Sequence, residues 1–343
     1  MSPAWRRALM AVAAAAALHT AGAAQSSTLD IERQLSGRFG FTPAEVAQAR
    51  NGQAVAKLLP SKETGEAAVL GAVRIYGNPE RLIVWLKDVS SFRKAAELGI
   101  SHRLSDPPGI GDFADLSLDA GELSALRDCR PGNCDLRIGD RAIERFQADV
   151  DWTAADAGRR ANLLTRQLLL GHAQAYLEGG DAALGAYHNE RTPRVLADEF
   201  RQILSQATAL HDIVPPLAAY LAGFPTARLP GSEQFLYWAK GGVGPEASIT
   251  LHQLVIYRAS GGETFVADKQ LYGSRYVDAA IAVISIAPSP DGKSFYALVG
   301  ARARSTMLTG FTARVLRAGV EKSARDTTSM YLDWIRASLA SGN

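Results

Sequence analysis

Runs of alternating and of helically spaced apolar residues divide the chain into three stretches. Over residues 28–59 the spacing predicts mostly helix. Asp30-Ile31-Glu32 opens one segment, and Thr42-Pro43-Ala44-Glu45 opens another, with Thr42 as cap, Pro43 at the first helical position and Glu45 closing a capping box. Residues 67–76 are apolar and β-branched and end at Gly77-Asn78-Pro79, which predicts a strand. Asn78-Pro79-Glu80 then starts a helix reaching residue 97 or so, with Leu82, Val84, Trp85, Leu86, Val89 and Phe92 as its apolar stripe.

The second stretch, residues 106–222, is loop-rich around Pro107-Pro108-Gly109 and then helical. Between these parts, Cys134-Asp135-Leu136-Arg137-Ile138 alternates like a short strand. Helical spacing returns over residues 154–179 and 196–210. In the third stretch the period falls to two. Residues 233–239, 248–258, 264–272, 277–287 and 294–304 read as strands, joined by short turn sequences such as Ser260-Gly261-Gly262 and Pro290-Asp291-Gly292. Such connections make an antiparallel meander. One helix over residues 307–339 closes the chain, its apolar positions being Leu308, Phe311, Val315, Val320, Ala324, Tyr331, Trp334 or Ile335, and Leu339.

The segment before residue 25 sets the compartment. Trp5-Arg6-Arg7, an apolar run over residues 8–18 and the small residues Ala21-Gly22-Ala23-Ala24 are the three parts of a secretory signal peptide. The run is shorter than the ~20 residues a spanning helix needs. The mature protein is therefore expected to be soluble and periplasmic or secreted. The cysteines are Cys129 and Cys134, on either side of Arg130-Pro131-Gly132-Asn133. Pro-Gly suits the centre of a type II turn, so in an oxidising compartment the pair should close a local disulfide.

With 37 basic and 35 acidic residues interspersed, and a net charge of +2, the chain carries no electrostatic footprint for nucleic acid. Arginines at 302 and 304 and at 314 and 317 could make a transient contact with an anionic membrane, although a solvated helix face explains the second group equally well.

The stretch Gly71-Ala72-Val73-Arg74-Ile75-Tyr76-Gly77-Asn78-Pro79-Glu80-Arg81-Leu82, with Trp85 and Asp88, resembles the first strand and following helix of START-like domains, the polyketide-cyclase and lipid-transfer superfamily. The run from Lys269 through the last helix resembles that family's C-terminal part. The resemblance implies an α+β helix-grip fold, a curved antiparallel sheet around a long C-terminal helix. It divides the chain into a signal peptide (1–24), an N-terminal helical segment (25–66), the first strand and helix of the START-like unit (67–105), an insertion (106–222) and the meander with its helix (223–343). Small residues in the meander, among them Ala279, Ala280, Ala282, Ala297, Gly300, Ala301 and Ala303, would leave either tight helix packing or an apolar cavity between sheet and helix.

Candidate chemistry is sparse. The densest polar and aromatic cluster is Lys269-Gln270-Leu271-Tyr272-Gly273-Ser274-Arg275-Tyr276-Val277-Asp278, where alternation puts Gln270 and Tyr272 on one face. Tyr272, Arg275 or Tyr276 could hold a ligand's polar head, or the segment could be a turn with a surface Arg275 to Asp278 pair. Arg302 is a further candidate contact. His252 shares a strand face with Thr250, Leu254 and Ile256, as a ligand contact, a general base or a satisfied structural histidine. His102, His172, His188 and His211 lie in separate segments without ligand spacing, so neither a metal nor another cofactor is implied. No nucleophile elbow or phosphate loop is present; Gly241-Gly242-Val243-Gly244 reads as a turn. The expectation is a non-catalytic exported protein holding a hydrophobic small molecule or lipid between sheet and last helix. Its alternatives are an enzyme on the same scaffold, acting on a polyketide-like or ester substrate, and an envelope protein whose helical middle docks an unknown protein partner.

Overall fold

The computed structural model describes residues 30–242, 246–310 and 313–340, so the signal-like segment 1–24 lies outside the described residues. The first helices are α1 (Ile31–Arg33), which continues into a π turn at Gln34–Arg38, and α2 (Pro43–Arg50) with its predicted capping box. Residues 28–59 are not helical throughout, because Val55–Leu58 forms strand β1 against β2 (Glu66–Tyr76). The next helix is also divided. Asp88 ends α3 (Pro79–Lys87) and, with its carboxylate accepting from the Ser91 N–H, caps α4 (Val89–Ala95).

After β3 (Ile100–Arg103) the chain leaves the sheet and builds α5 (Ala120–Asp128), α6 (Asp140–Asp149), α7 (Ala157–Gly179), the small pair β4 (Ala186–Tyr187) and β5 (Arg194–Val195), α8 (Leu196–Gln206), α9 (Thr208–Ile213) and α10 (Pro215–Gly223). It returns as the meander β6 (Ser232–Gly241), β7 (Ser248–Arg258), β8 (Thr264–Gly273), β9 (Ala279–Pro288) and β10 (Ser294–Arg304), and closes with α11 (Ala313–Ala340). The eight-stranded sheet has the order β1-β2-β10-β9-β8-β7-β6-β3, with antiparallel pairing throughout. Because β10 returns beside β2 while the first long strand feeds α3 and α4, the architecture is helix-grip-like.

The two sheet faces bury different partners. On one, Val73, Ile75, Ile284, Ile286, Phe295 and Val299 pack with Leu332, Ile335 and Leu339 of α11 and with Leu82 and Leu86 of α3. On the other, Leu236, Trp238, Val255, Leu271 and Ile281 pack with Phe113, Tyr176, Phe200 and Leu217 from the segment between β3 and β6. That segment therefore covers the back of the sheet.

Several local expectations change. Cys129 and Cys134 form the disulfide, with Cα atoms 4.5 Å apart and Gly132 at φ +77°, but residues 134–138 are not a strand. Their backbone instead reaches outward: the Cys134 N–H donates to the Asn189 carbonyl and the Arg137 N–H to the Ser274 carbonyl. The last helix begins later than predicted. Leu308 sits in a separate 3₁₀ turn, Phe311 is outside the described residues, and Val315 and Val320 point to solvent.

Candidate functional site

The helix α11 packs chiefly over β2 and β1 rather than over the centre of the sheet. Gly71 permits the approach: a Cβ there would lie 2.6 Å from Thr328 Cγ2 and 2.7 Å from Leu332 Cδ1. Beyond that contact the same face is buried at Leu254, Ile256, Ile284 and Ile286 but less completely at its short side chains. Tyr237, His252, Gln270, Ala280, Ala303 and Ala67 form one row in register across six strands on this face, and Asp268, Ala282 and Ala301 lie in the next. The four meander alanines Ala280, Ala282, Ala301 and Ala303 belong to interior strands, yet they are only half-buried. Side chains this short beneath a helix that stands to one side leave a groove.

His252 lies at the β6 side of that groove. Its Nδ1 is 2.8 Å from Asp268 Oδ1, and the Tyr237 hydroxyl donates to Asp268 Oδ2 at 2.6 Å. The Tyr237 ring stacks on the imidazole, with centroids 4.6 Å apart and planes 9° from parallel. Burial alone would raise Asp268. The neighbouring His252, the Tyr237 hydroxyl and the Arg93 guanidinium outweigh it and hold the carboxyl below its usual value. An ionised carboxylate can only accept, so His252 carries its proton on Nδ1 when neutral, and Nε2 presents a lone pair. That Nε2 is buried and has no hydrogen-bond partner among the described residues. Tyr237 itself is pushed well up, by burial first and by the Asp268 charge second, and remains a phenol. The arrangement holds one oriented acceptor, shielded from solvent in this structure.

The other residues predicted for a site do not join His252. Tyr272 faces the back of the sheet because of a bulge: Leu251 pairs with Tyr272 and His252 with Gln270, which leaves Leu271 between them. Gln270 and Tyr272 therefore lie on opposite faces, against the simple alternation. Tyr272 lines a cavity of about 700 Å³ between the sheet and α6, α7 and β4. Arg302 also faces the back, where it pairs with Glu66 and lines a cavity of about 250 Å³ bounded by α1, α8 and α9. Both cavities lie on the face opposite α11. Arg275 pairs with Glu246 at 2.6 Å, not with Asp278. Tyr276, at φ +61°, takes the Glu246 N–H on its hydroxyl in the same turn.

Asp268 and Tyr237 were missed from the sequence. One signal was available for Asp268: a carboxylate between Val266 and Gln270 in an otherwise apolar strand is costly unless paired. Nothing in the spacing of Tyr237 distinguishes it from a core aromatic.

No family model matches the chain, and no curated protein matches it. Among solved structures it is similar to the di-domain ARO/CYC StfQ from the steffimycin biosynthetic pathway, at 14% identity, covering 88% of this chain and 95% of that one, with a TM-score of 0.22. A likeness of that size has no bearing on function.

Proposed function

We propose that the protein binds an apolar small molecule or lipid in the groove between the sheet and α11, outside the cytoplasm. The observation that carries this reading is the half-buried alanine floor at the middle of the sheet, with the His252, Asp268 and Tyr237 group as its polar end. Apolar surface of this kind gains by covering, and a single oriented acceptor fixes the guest's direction. The signal-like N-terminus and the Cys129 to Cys134 disulfide support the compartment.

The test uses 1-N-phenylnaphthylamine, whose fluorescence rises in apolar surroundings. Ala282→Phe or Ala301→Leu should weaken its binding at least about tenfold by filling the groove, an effect equal to ~1.4 kcal/mol. Unchanged affinity in both variants, with cooperative melting retained, would place the guest elsewhere.

A second reading, favoured by the unpartnered Nε2 beside an ionised Asp268, is hydrolysis or proton abstraction on an ester or polyketide-like substrate with His252 as general base. It predicts that His252→Ala slows turnover of a p-nitrophenyl ester by about 10²- to 10⁴-fold while the melting transition persists. Equal rates in parent and variant would leave binding as the role.

A further inference from the structure

The 700 Å³ cavity behind the sheet is within the size range of small-molecule sites. Leu168, Leu169 and Ala175 of α7 and Ala142 and Phe146 of α6 supply apolar wall, Asp140, Arg141 and Arg145 lie along the α6 side, and the floor is Ile249 and Tyr272 from the sheet. Uncommitted polar groups face each other there. The Tyr272 hydroxyl makes no hydrogen bond among the described residues, while its ring is set edge-on between His172, 5.8 Å away, and Tyr187, 6.0 Å away. Tyr187 is itself fixed, its hydroxyl accepting from the Gly273 N–H at 2.9 Å. His172 has Nε2 3.4 Å from the Leu271 carbonyl. A carbonyl only accepts, so Nε2 carries the proton and Nδ1 is left as an acceptor; burial lowers the ring's affinity for a second proton. Glu122, 1% exposed, spends Oε2 on Lys240 Nζ at 2.5 Å and on the Asp119 N–H at 2.8 Å, and leaves Oε1 buried without a partner among the described residues.

We propose that this cavity is a second binding site, for a neutral multi-ring apolar molecule bearing a hydroxyl group. The hydroxyl accepts from Tyr272 and donates to His172 Nδ1, and the hydrocarbon body lies against the α6 and α7 walls. The unpaired Oε1 of Glu122 disfavours an anionic group placed beside it. This inference does not rest on the groove reading, and its test removes the groove by using Ala282→Phe as the parent.

Calorimetry compares 2-naphthol with 2-methylnaphthalene, which has similar bulk and no hydroxyl. The parent should prefer 2-naphthol. Tyr272→Phe should cut that preference about 2- to 12-fold, the equivalent of one net hydrogen bond, and leave 2-methylnaphthalene unchanged. Ala175→Trp and Ala142→Trp, which project into the cavity from α7 and α6, should each abolish binding of both compounds. The proposal is overturned if Tyr272→Phe leaves the preference intact, or if a tryptophan variant that melts cooperatively binds both compounds as its parent does. Should one tryptophan variant fail to fold, the other and Tyr272→Phe still decide.

Discussion

At the scale of single residues, the group that sets the groove's chemistry is Asp268, because it fixes which nitrogen of His252 is protonated. Its folded pKa lies below the ordinary value of 3.8. The unfolded carboxyl titrates near ~3.9, so the stabilisation it provides is fully present above that value and is lost as pH falls through the lower folded value. Asp268→Asn should cost about 1.5–3 kcal/mol at neutral pH, the range for hydrogen bonds to a charged group. Urea unfolding from pH 7 to pH 2.5 should show the gap between parent and variant constant above about pH 4 and closing below it. A gap that widens on acidification would mean that Asp268 is raised rather than lowered.

At the scale of elements, α11 behaves as two halves. Its C-terminal half is seated by Gly71, Leu332, Ile335 and Leu339, while Val315 in the N-terminal half is 83% exposed. Gly71→Ala adds a methyl group where Thr328 and Leu332 already touch, and overpacking of this kind costs about 1–3 kcal/mol. Val315→Ser should stay within about 0.5 kcal/mol of the parent, as exposed substitutions do. The same denaturation midpoints measure both. Equal losses would mean that the helix is seated along its whole length and the groove is closed. Helical spacing in the sequence put Val315 and Leu339 alike on the apolar stripe, since periodicity records which side of a helix is apolar and not whether anything lies opposite.

At the scale of the whole molecule, buried ion pairs bolt the β3 to β6 segment onto the meander. Lys269 is fully buried on the back of β8, with Nζ 2.5 Å from Asp181 and 3.0 Å from the Leu221 carbonyl, over the Phe200 and Tyr176 rings. Arg137 pairs with Asp278 at 2.5 Å, and Arg304 pairs with Glu199. Burial pushes Lys269 down and Asp181 up, each towards its neutral form, and their mutual attraction opposes this. Asp181→Asn leaves a charge buried without its counter-ion and should cost about 3–5 kcal/mol, whereas the double variant Asp181→Asn with Lys269→Met should recover most of the loss. Calorimetric unfolding should show one transition for the parent. Independent additive losses in the double variant would show that the pair does not couple the two parts.

The sequence by itself determined the strands of the meander and several helix starts. Periods of two and of 3.6 reflect local backbone geometry, so the bounds of β7 and β10, the face of His252 and the Thr42 capping box could be read directly. The Pro131-Gly132 turn likewise brought Cys129 to Cys134. Tertiary structure decided everything that depends on a neighbour from elsewhere in the chain. A bulge opposite Leu251 turned Tyr272 to the back of the sheet, register across the β7 and β8 ladder brought Asp268 to His252, and the landing of α11 over β2 left the central alanines only half-buried. Those outcomes follow from long-range pairing and packing, which period and composition do not encode.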